Sequence, residues 1–189
     1  MFGNVVRTPQ GQEYTLIHQL GRGAFGDVAL AKDSDGREVV IKTTFKPNGP
    51  QDPMRERAYH MELRALSQCS RLERRNDIMR LIDFNKEQMF VVLEYIPDGD
   101  LFRWRQEHFA LADVEENMRL FATQLLEALL FIHSAGILHR DIKPQNILLR
   151  RSALWTPERA TQTLLAFEPV LADFGTAAIV APVANTSTT

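Results

Sequence analysis

Eight consecutive residues, His139-Arg140-Asp141-Ile142-Lys143-Pro144-Gln145-Asn146, hold a carboxylate, an ammonium and a carboxamide at fixed offsets. That set suits moving a phosphoryl group onto a hydroxyl. Asp141 is the candidate base for the hydroxyl proton, Lys143 the cation for the phosphate, and the Asn146 amide oxygen a ligand for Mg²⁺. A second stretch, Gly21-Arg22-Gly23-Ala24-Phe25-Gly26, removes side chains where a backbone must approach phosphate oxygens. Dinucleotide-binding turns share this glycine spacing, but there a helix follows the glycines directly. Here residues 27–32 read as a strand.

The elements that must position these groups alternate in period. Strands are expected at 14–20, 27–32 and 37–43, the last two joined by Asp33-Ser34-Asp35-Gly36, whose Asp-Gly pair suits a tight hairpin. A loop rich in Pro and Gly leads to a helix over 54–70, with Met54, Ala58, Met61, Ala65 and Cys69 at helical spacing. Strands at 78–84 and 88–95 come next, and Pro97-Asp98-Gly99-Asp100 breaks the pattern as a linker. Val114, Met118, Phe121, Leu125, Leu129 and Ile132 then mark a long helix over 113–134. Leu120, Leu126, Leu130 and Phe131 spread its apolar surface to other faces, which predicts central burial. Short strands are expected at 147–149 and 170–172. Between them Thr156-Pro157-Glu158 is a helix start, and 179–189 reads as a mobile tail.

These motifs, in this order, resemble the protein-kinase domain, and Lys143 two residues after Asp141 points to its Ser/Thr branch. The resemblance rests on Gly21-x-Gly23-x-x-Gly26-x-Val28, Val39-Val40-Ile41-Lys42, Glu62-Leu63-Arg64-Ala65-Leu66, Val91-Val92-Leu93-Glu94-Tyr95-Ile96, the loop at 139–146 and Asp173-Phe174-Gly175. It implies a two-lobed α+β fold. A five-stranded antiparallel small lobe with one helix (1–95) is joined by a hinge (96–100) to a partial, mainly helical large lobe (101–189). It also implies an ATP site formed by Leu20, Gly21, Gly23, Gly26, Val28, Val40, Lys42, Glu62, Leu93, Glu94, Ile96 and Leu148. Lys42 would reach the α- and β-phosphates and Glu62, rather than Glu56, would hold it. Leu93 would stand behind the adenine, with the Glu94 carbonyl and Ile96 amide on the purine edge. Asp141 and Lys143 would be catalytic, Asn146 and Asp173 would hold Mg²⁺, and His139 would pack rather than act as a base. Arg140 would meet a phosphate on the activation loop, for which Thr186, Ser187, Thr188 and Thr189 are candidates.

The expected activity is ATP–Mg²⁺-dependent phosphorylation of Ser or Thr on a protein substrate. The alternative is a catalytically inactive nucleotide-binding fragment acting as an interaction module or an incomplete gene product. Three departures from the family pattern stand out. Val40 replaces alanine on the adenine wall. Residues 150–168 lengthen the span from Asn146 to Asp173 and read as an insertion, either a solvent-exposed embellishment or a partner-docking element. No Ala-Pro-Glu element follows Gly175, so the helices that complete the large lobe are not expected in this sequence.

Composition narrows the partners. With 22 basic and 24 acidic side chains among 189 residues, no general attraction to nucleic acid or anionic membrane is implied. Arg71, Arg74, Arg75 and Arg150, Arg151 read as solvated surface clusters. Cys69 is the only cysteine, which fits a reducing compartment and an inert apolar position. No apolar run is long enough to span a bilayer, so an intracellular location, cytoplasmic or nuclear, is expected. A regulatory partner is left open.

Overall fold

A computed structural model of the chain describes residues 5–23, 26–44, 52–72, 75–108 and 114–180. Strands β1 (Val5–Arg7), β2 (Glu13–Gly23), β3 (Gly26–Lys32), β4 (Glu38–Thr43), β5 (Leu81–Asn85) and β6 (Phe90–Glu94) form one antiparallel sheet in the order β1-β2-β3-β4-β6-β5. The sheet thus has six strands where five were expected. The extra one is β1, whose three residues pair with Glu13–Thr15 across a turn containing Gly11 at φ +85°. A strand this short carries no readable alternation. Strand β5 also starts later than expected, because Ile78 makes only an isolated bridge to Leu171.

Register divides the sheet into two faces. Tyr14, Ala31, Val39, Ile41, Phe90 and Val92 form a buried cluster on one side. Direct partners in an antiparallel sheet share a face, and the pairs Val28↔Lys42, Val40↔Leu93 and Lys42↔Val91 define the other. That second face looks toward α1 (Pro53–Leu72), with Val91 and Leu93 in the same core as Tyr59, Leu63 and Leu66. Helix α1 buries Ala58, Tyr59, Glu62, Leu63, Ala65, Leu66 and Cys69. Of the stripe expected from the sequence, Ala58, Ala65 and Cys69 are buried and Met61 is half-buried, while Met54, in the first turn, is 71% exposed. Burial pushes the Cys69 thiol up to about 11, so it stays protonated at neutral pH.

Gly26 closes the β2–β3 turn, and its constraint comes from the protein itself. It sits at φ +148°, and an added Cβ would overlap the Thr43 carbonyl oxygen of β4. A Cβ on Gly21, by contrast, would meet open space. Gly26→Ala should therefore cost roughly 1–3 kcal/mol, from backbone strain and forced displacement of β4. Gly21→Ala should leave the unfolding midpoint near wild type. Equal denaturant midpoints for both variants would contradict this assignment.

Residues 95–100 lead from β6 to α2 (Leu101–Glu107), a helix not expected from the sequence, whose N-cap Asp100 accepts from the Arg103 amide at 2.9 Å. Helix α3 (Val114–Ser134) buries Phe121, Ala128 and Ile132 and half-buries Met118, Leu125, Leu129 and Phe131. Central burial on every side does not hold: Leu126 and Leu130 are 58% and 69% exposed and line one strip of the helix with Ala122. Beyond α3, β7 (Ile137–Leu138) pairs with β10 (Ala178–Ile179), and β8 (Ile147–Arg151) with β9 (Phe167–Leu171).

The segment between β8 and β9 is more than an exposed embellishment. Thr156 caps a single turn, α4 (Pro157–Ala160), and Trp104 Nε1 of α2 donates to the Ala160 carbonyl at 2.9 Å. Leu164, Ala166 and Phe167 then join Leu101, Phe121, Ile147 and Leu149 in a second buried cluster. Among the described residues no helix is long and apolar enough to cross a membrane. Of the tail expected at 179–189, Ile179 is instead paired in β10, and 181–189, including Thr186 to Thr189, lie outside the described residues.

Candidate active site

Lys42 reaches the centre of the molecule because β4 is an inner strand and its even-numbered residues face α1. Its Nζ lies 2.7 Å from Glu62 Oε2 of α1 and 2.8 Å from Asp173 Oδ1, which follows β9. Three residues far apart in sequence thus share one buried ion cluster. Glu56 lies on the exposed side of α1, beside His60. Burial alone would drive the Lys42 ammonium down, but the Glu62 and Asp173 carboxylates outweigh it and hold it above its ordinary value. At Asp173 burial would raise the carboxyl, yet Lys42 and the Gly175 amide hold it below the usual range. Glu62 is the most enclosed of the three, and its burial pushes it up against the pull of Lys42.

Asp173 occupies the left-handed region at φ +61°, which turns its carboxylate back onto Lys42 while Phe174 is driven into the core. Phe174 packs edge-on against His139 with ring centroids 4.7 Å apart. His139 is 2% exposed, and its Nε2 lies 2.9 Å from the Ala172 carbonyl, so it is a strut between the 139–146 loop and the residues before Asp173.

In that loop Lys143 Nζ donates to Asp141 Oδ2 at 2.7 Å. Asn146 Nδ2 donates to the same oxygen at 3.0 Å and to the Asp141 carbonyl at 2.9 Å. Both donors of Asn146 face Asp141, which leaves its amide oxygen as the atom able to meet a cation. One carboxamide oxygen and the Asp173 carboxylate form a sparse oxygen set of the kind Mg²⁺ accepts when phosphate and water complete its shell. The residues therefore fit the expected metal, although among the described residues no cluster of three or more His, Cys, Asp or Glu side chains exists.

Arg140, at φ +67°, donates to the Thr176 carbonyl at 2.7 Å and to the Ala177 carbonyl at 3.1 Å. It fastens the start of the segment after Gly175 to the loop.

The expected nucleotide-contacting residues lie on β2, β3, β4, α1, β6, the connector after β6 and β8. Leu93 and Ile96 are buried, while Val28, Val40 and Leu148 are half-buried. The Ile96 amide donates to no group among the described residues, so it is available to a ligand. Gly21 pairs with Val28, and Gly23 with Gly26. Leu20 falls in the register shift between Gln19 and Gly21 and is 43% exposed. The Glu94 side chain is engaged by Arg150 at 2.9 Å, and Arg75 is paired with Asp77. These two arginines are thus structural, not solvated as their clustering suggested.

Burial pushes the His139 imidazole below its ordinary value of 6.5, against the pull of the Ala172 carbonyl. The folded chain then binds this proton less tightly than the unfolded chain does. The resulting stability is fully present above pH 6.5 and is lost as pH falls through that value toward the folded one. Denaturant midpoints should accordingly fall between about pH 7.5 and 5.5, with a shallower fall in His139→Asn. Identical slopes would remove His139 as the cause.

Comparison with known proteins agrees with this geometry. A family model described as the protein kinase domain matches residues 14–189. Aurora kinase A-A of Xenopus laevis is 30% identical over 141 residues, which cover 73% of this chain and 33% of that protein. The Schizosaccharomyces pombe protein named negative regulator of sexual conjugation and meiosis is 30% identical over 168 residues, covering 87% of this chain and 34% of the relative. The probable serine/threonine-protein kinase MARK-A of Dictyostelium discoideum is 32% identical over 148 residues, covering 75% and 13%. The chain thus spans about a third or less of the length of these three relatives. With the family model covering nearly all of it and serine/threonine kinases among its relatives, the chain belongs to the protein kinase family.

Proposed function

We propose that the chain binds ATP with Mg²⁺ and transfers the γ-phosphoryl group to a serine or threonine hydroxyl of a protein. The observation that carries this reading is the pair of assembled clusters, Lys42–Glu62–Asp173 and Asp141–Lys143–Asn146. In this reading residues 1–95 are the nucleotide lobe, 96–100 the hinge and 101–189 part of the substrate lobe. The buried ammonium of Lys42, held by Glu62, anchors the α- and β-phosphates. Asp173 and the Asn146 oxygen hold Mg²⁺. Bound Mg²⁺ supplies charge neutralisation on the phosphate oxygens. Asp141 orients the acceptor hydroxyl and takes its proton as the new O–P bond forms and the bond to the leaving β-phosphate oxygen breaks. Lys143 balances charge beside the transferred group, and Asn146 fixes the Asp141 carboxylate. The Ile96 amide, together with the Glu94 carbonyl, meets the purine edge. An intracellular setting, where ATP is held, fits this chemistry.

The test is incubation with labelled ATP, Mg²⁺ and two basic peptides, one carrying serine and threonine, the other only tyrosine. Label on the serine/threonine peptide is expected. Nucleotide binding with no transfer to either peptide would favour the interaction-module alternative, for which the exposed Leu126 and Leu130 offer a surface.

A further inference from the structure

The connector between β6 and α2 borders, on its outer side, a cavity of about 670 Å³ lined by Arg80, Tyr95 and Arg150 among others. Ile96 is packed into the main core, but beyond it Gly99 at φ +77° lets the backbone bend. There the constraint comes from β8 and the segment after it. The Leu149 amide donates to the Gly99 carbonyl at 2.9 Å, and Leu148 bridges Asp100.

Two consecutive arginines at the end of β8 then reach the last residue of β6 and the connector itself. Arg150 Nη2 donates to Glu94 Oε1 at 2.9 Å, and the same oxygen accepts the Arg80 amide at 2.9 Å. Arg151 donates from Nε and Nη2 to the two carboxylate oxygens of Asp98, at 2.9 and 3.2 Å. This fork-on-fork geometry fixes direction as well as distance. The Arg151 guanidinium also lies 3.9 Å from the centroid of the Trp155 ring, so it is held from its face too. Trp155 belongs to the segment between β8 and β9, and it packs on the cluster of Leu101, Phe121 and Leu164.

We propose that Arg150, Arg151 and Trp155 are positioning residues that brace the connector. Through them the lengthened segment between β8 and β9 sets how residues 94–96 are presented to the purine. This rests on the reading of 94–96 as the purine-facing edge. The Arg151 and Asp98 side chains are 49% and 17% exposed, so the pair adds little to global stability. Its effect is on where a bendable backbone stands, and that separates a positioning role from a merely structural one.

The experiment compares Arg150→Ala, Arg151→Ala, Asp98→Ala and the double variant Asp98→Ala/Arg151→Ala with wild type. Calorimetry reads affinity for ATP, adenosine and inorganic triphosphate, and hydrogen exchange reads the Leu149 amide, which donates to the Gly99 carbonyl, without nucleotide. Each arginine variant should bind ATP and adenosine about fivefold more weakly, while triphosphate affinity holds. The melting temperature should hold in Arg151→Ala and fall in Arg150→Ala, which leaves the Glu94 carboxylate, 10% exposed, without its cation. The double variant should lose no more than Arg151→Ala alone. Exchange of the Leu149 amide should accelerate in every variant. A charge-swapped Asp98→Arg/Arg151→Asp protein should recover part of the adenosine affinity. Wild-type affinity and exchange in both arginine variants would overturn the brace, as would an equal loss for triphosphate, which indicates general loosening. If wild type itself bound no nucleotide, the function proposed above would fall, and exchange of the Leu149 amide would still decide the brace: faster in the variants supports it, unchanged overturns it.

Discussion

Asp141→Asn should lower phosphoryl transfer by about 10²–10⁴-fold and leave nucleotide affinity within about twofold of wild type. Asparagine keeps the size of the side chain and can still accept from Asn146 Nδ2 or Lys143 Nζ, which hold Asp141 at 3.0 and 2.7 Å. It cannot take up the hydroxyl proton. The residues that anchor the nucleotide, Lys42 and Asp173, do not bond to Asp141, so the ground state for ATP is left intact. The measurement is steady-state turnover on a serine-containing basic peptide beside a nucleotide titration. Turnover surviving in Asp141→Asn would point to a different base, and a parallel collapse of ATP affinity would show that the loop is not separable from the nucleotide site.

Lys42→Met should be the most damaging single change to both fold and function. Lys42 and Glu62 side chains are 11% and 3% exposed, and Asp173 shares the same ammonium. Removing the cation leaves two carboxylates facing each other, one of them enclosed. Breaking a buried pair from one side costs roughly 3–5 kcal/mol, a large part of the roughly 5–15 kcal/mol that holds a domain together. Stability and nucleotide anchoring can be separated with Lys42→Met/Glu62→Gln, which no longer buries an unpaired carboxylate there. That double variant should regain most of the lost denaturant midpoint and none of the Mg²⁺–ATP binding. An unchanged midpoint in Lys42→Met would mean that the cluster contributes nothing to the fold.

The site was legible in the sequence because its chemistry recurs at fixed short offsets. Asp141, Lys143 and Asn146 lie on one loop, and each distant partner, Lys42, Glu62 and Asp173, sits in its own recognisable string. The inner strands were legible for a related reason: Val39 to Ile41 and Val91 to Leu93 are continuous apolar runs of the kind a covered strand needs. The features that escaped were set by tertiary pairing. Strand β1 and the β7–β10 pair have three residues or fewer per strand and exist only through their partners. Helix α2 begins at Leu101, and its N-cap Asp100 lay inside the string read as a linker break. Residues 150–168 mix charge, Trp and Leu without period, so neither their buried cluster nor the pairing of Arg150 and Arg151 with the connector could be inferred. In α3 the apolar residues were visible but not which strip would be covered, and Leu126 and Leu130 were left outside.

The most direct measurement is a calorimetric titration of ATP into the folded chain, with and without Mg²⁺, repeated on Asp173→Asn. The expected result is a single site whose affinity rises with Mg²⁺ in wild type and loses that dependence in Asp173→Asn, because Asp173 is the carboxylate proposed to hold the metal. A cooperatively melting wild-type chain that takes up no ATP, or one whose Mg²⁺ dependence survives in Asp173→Asn, would contradict the proposed nucleotide and metal site.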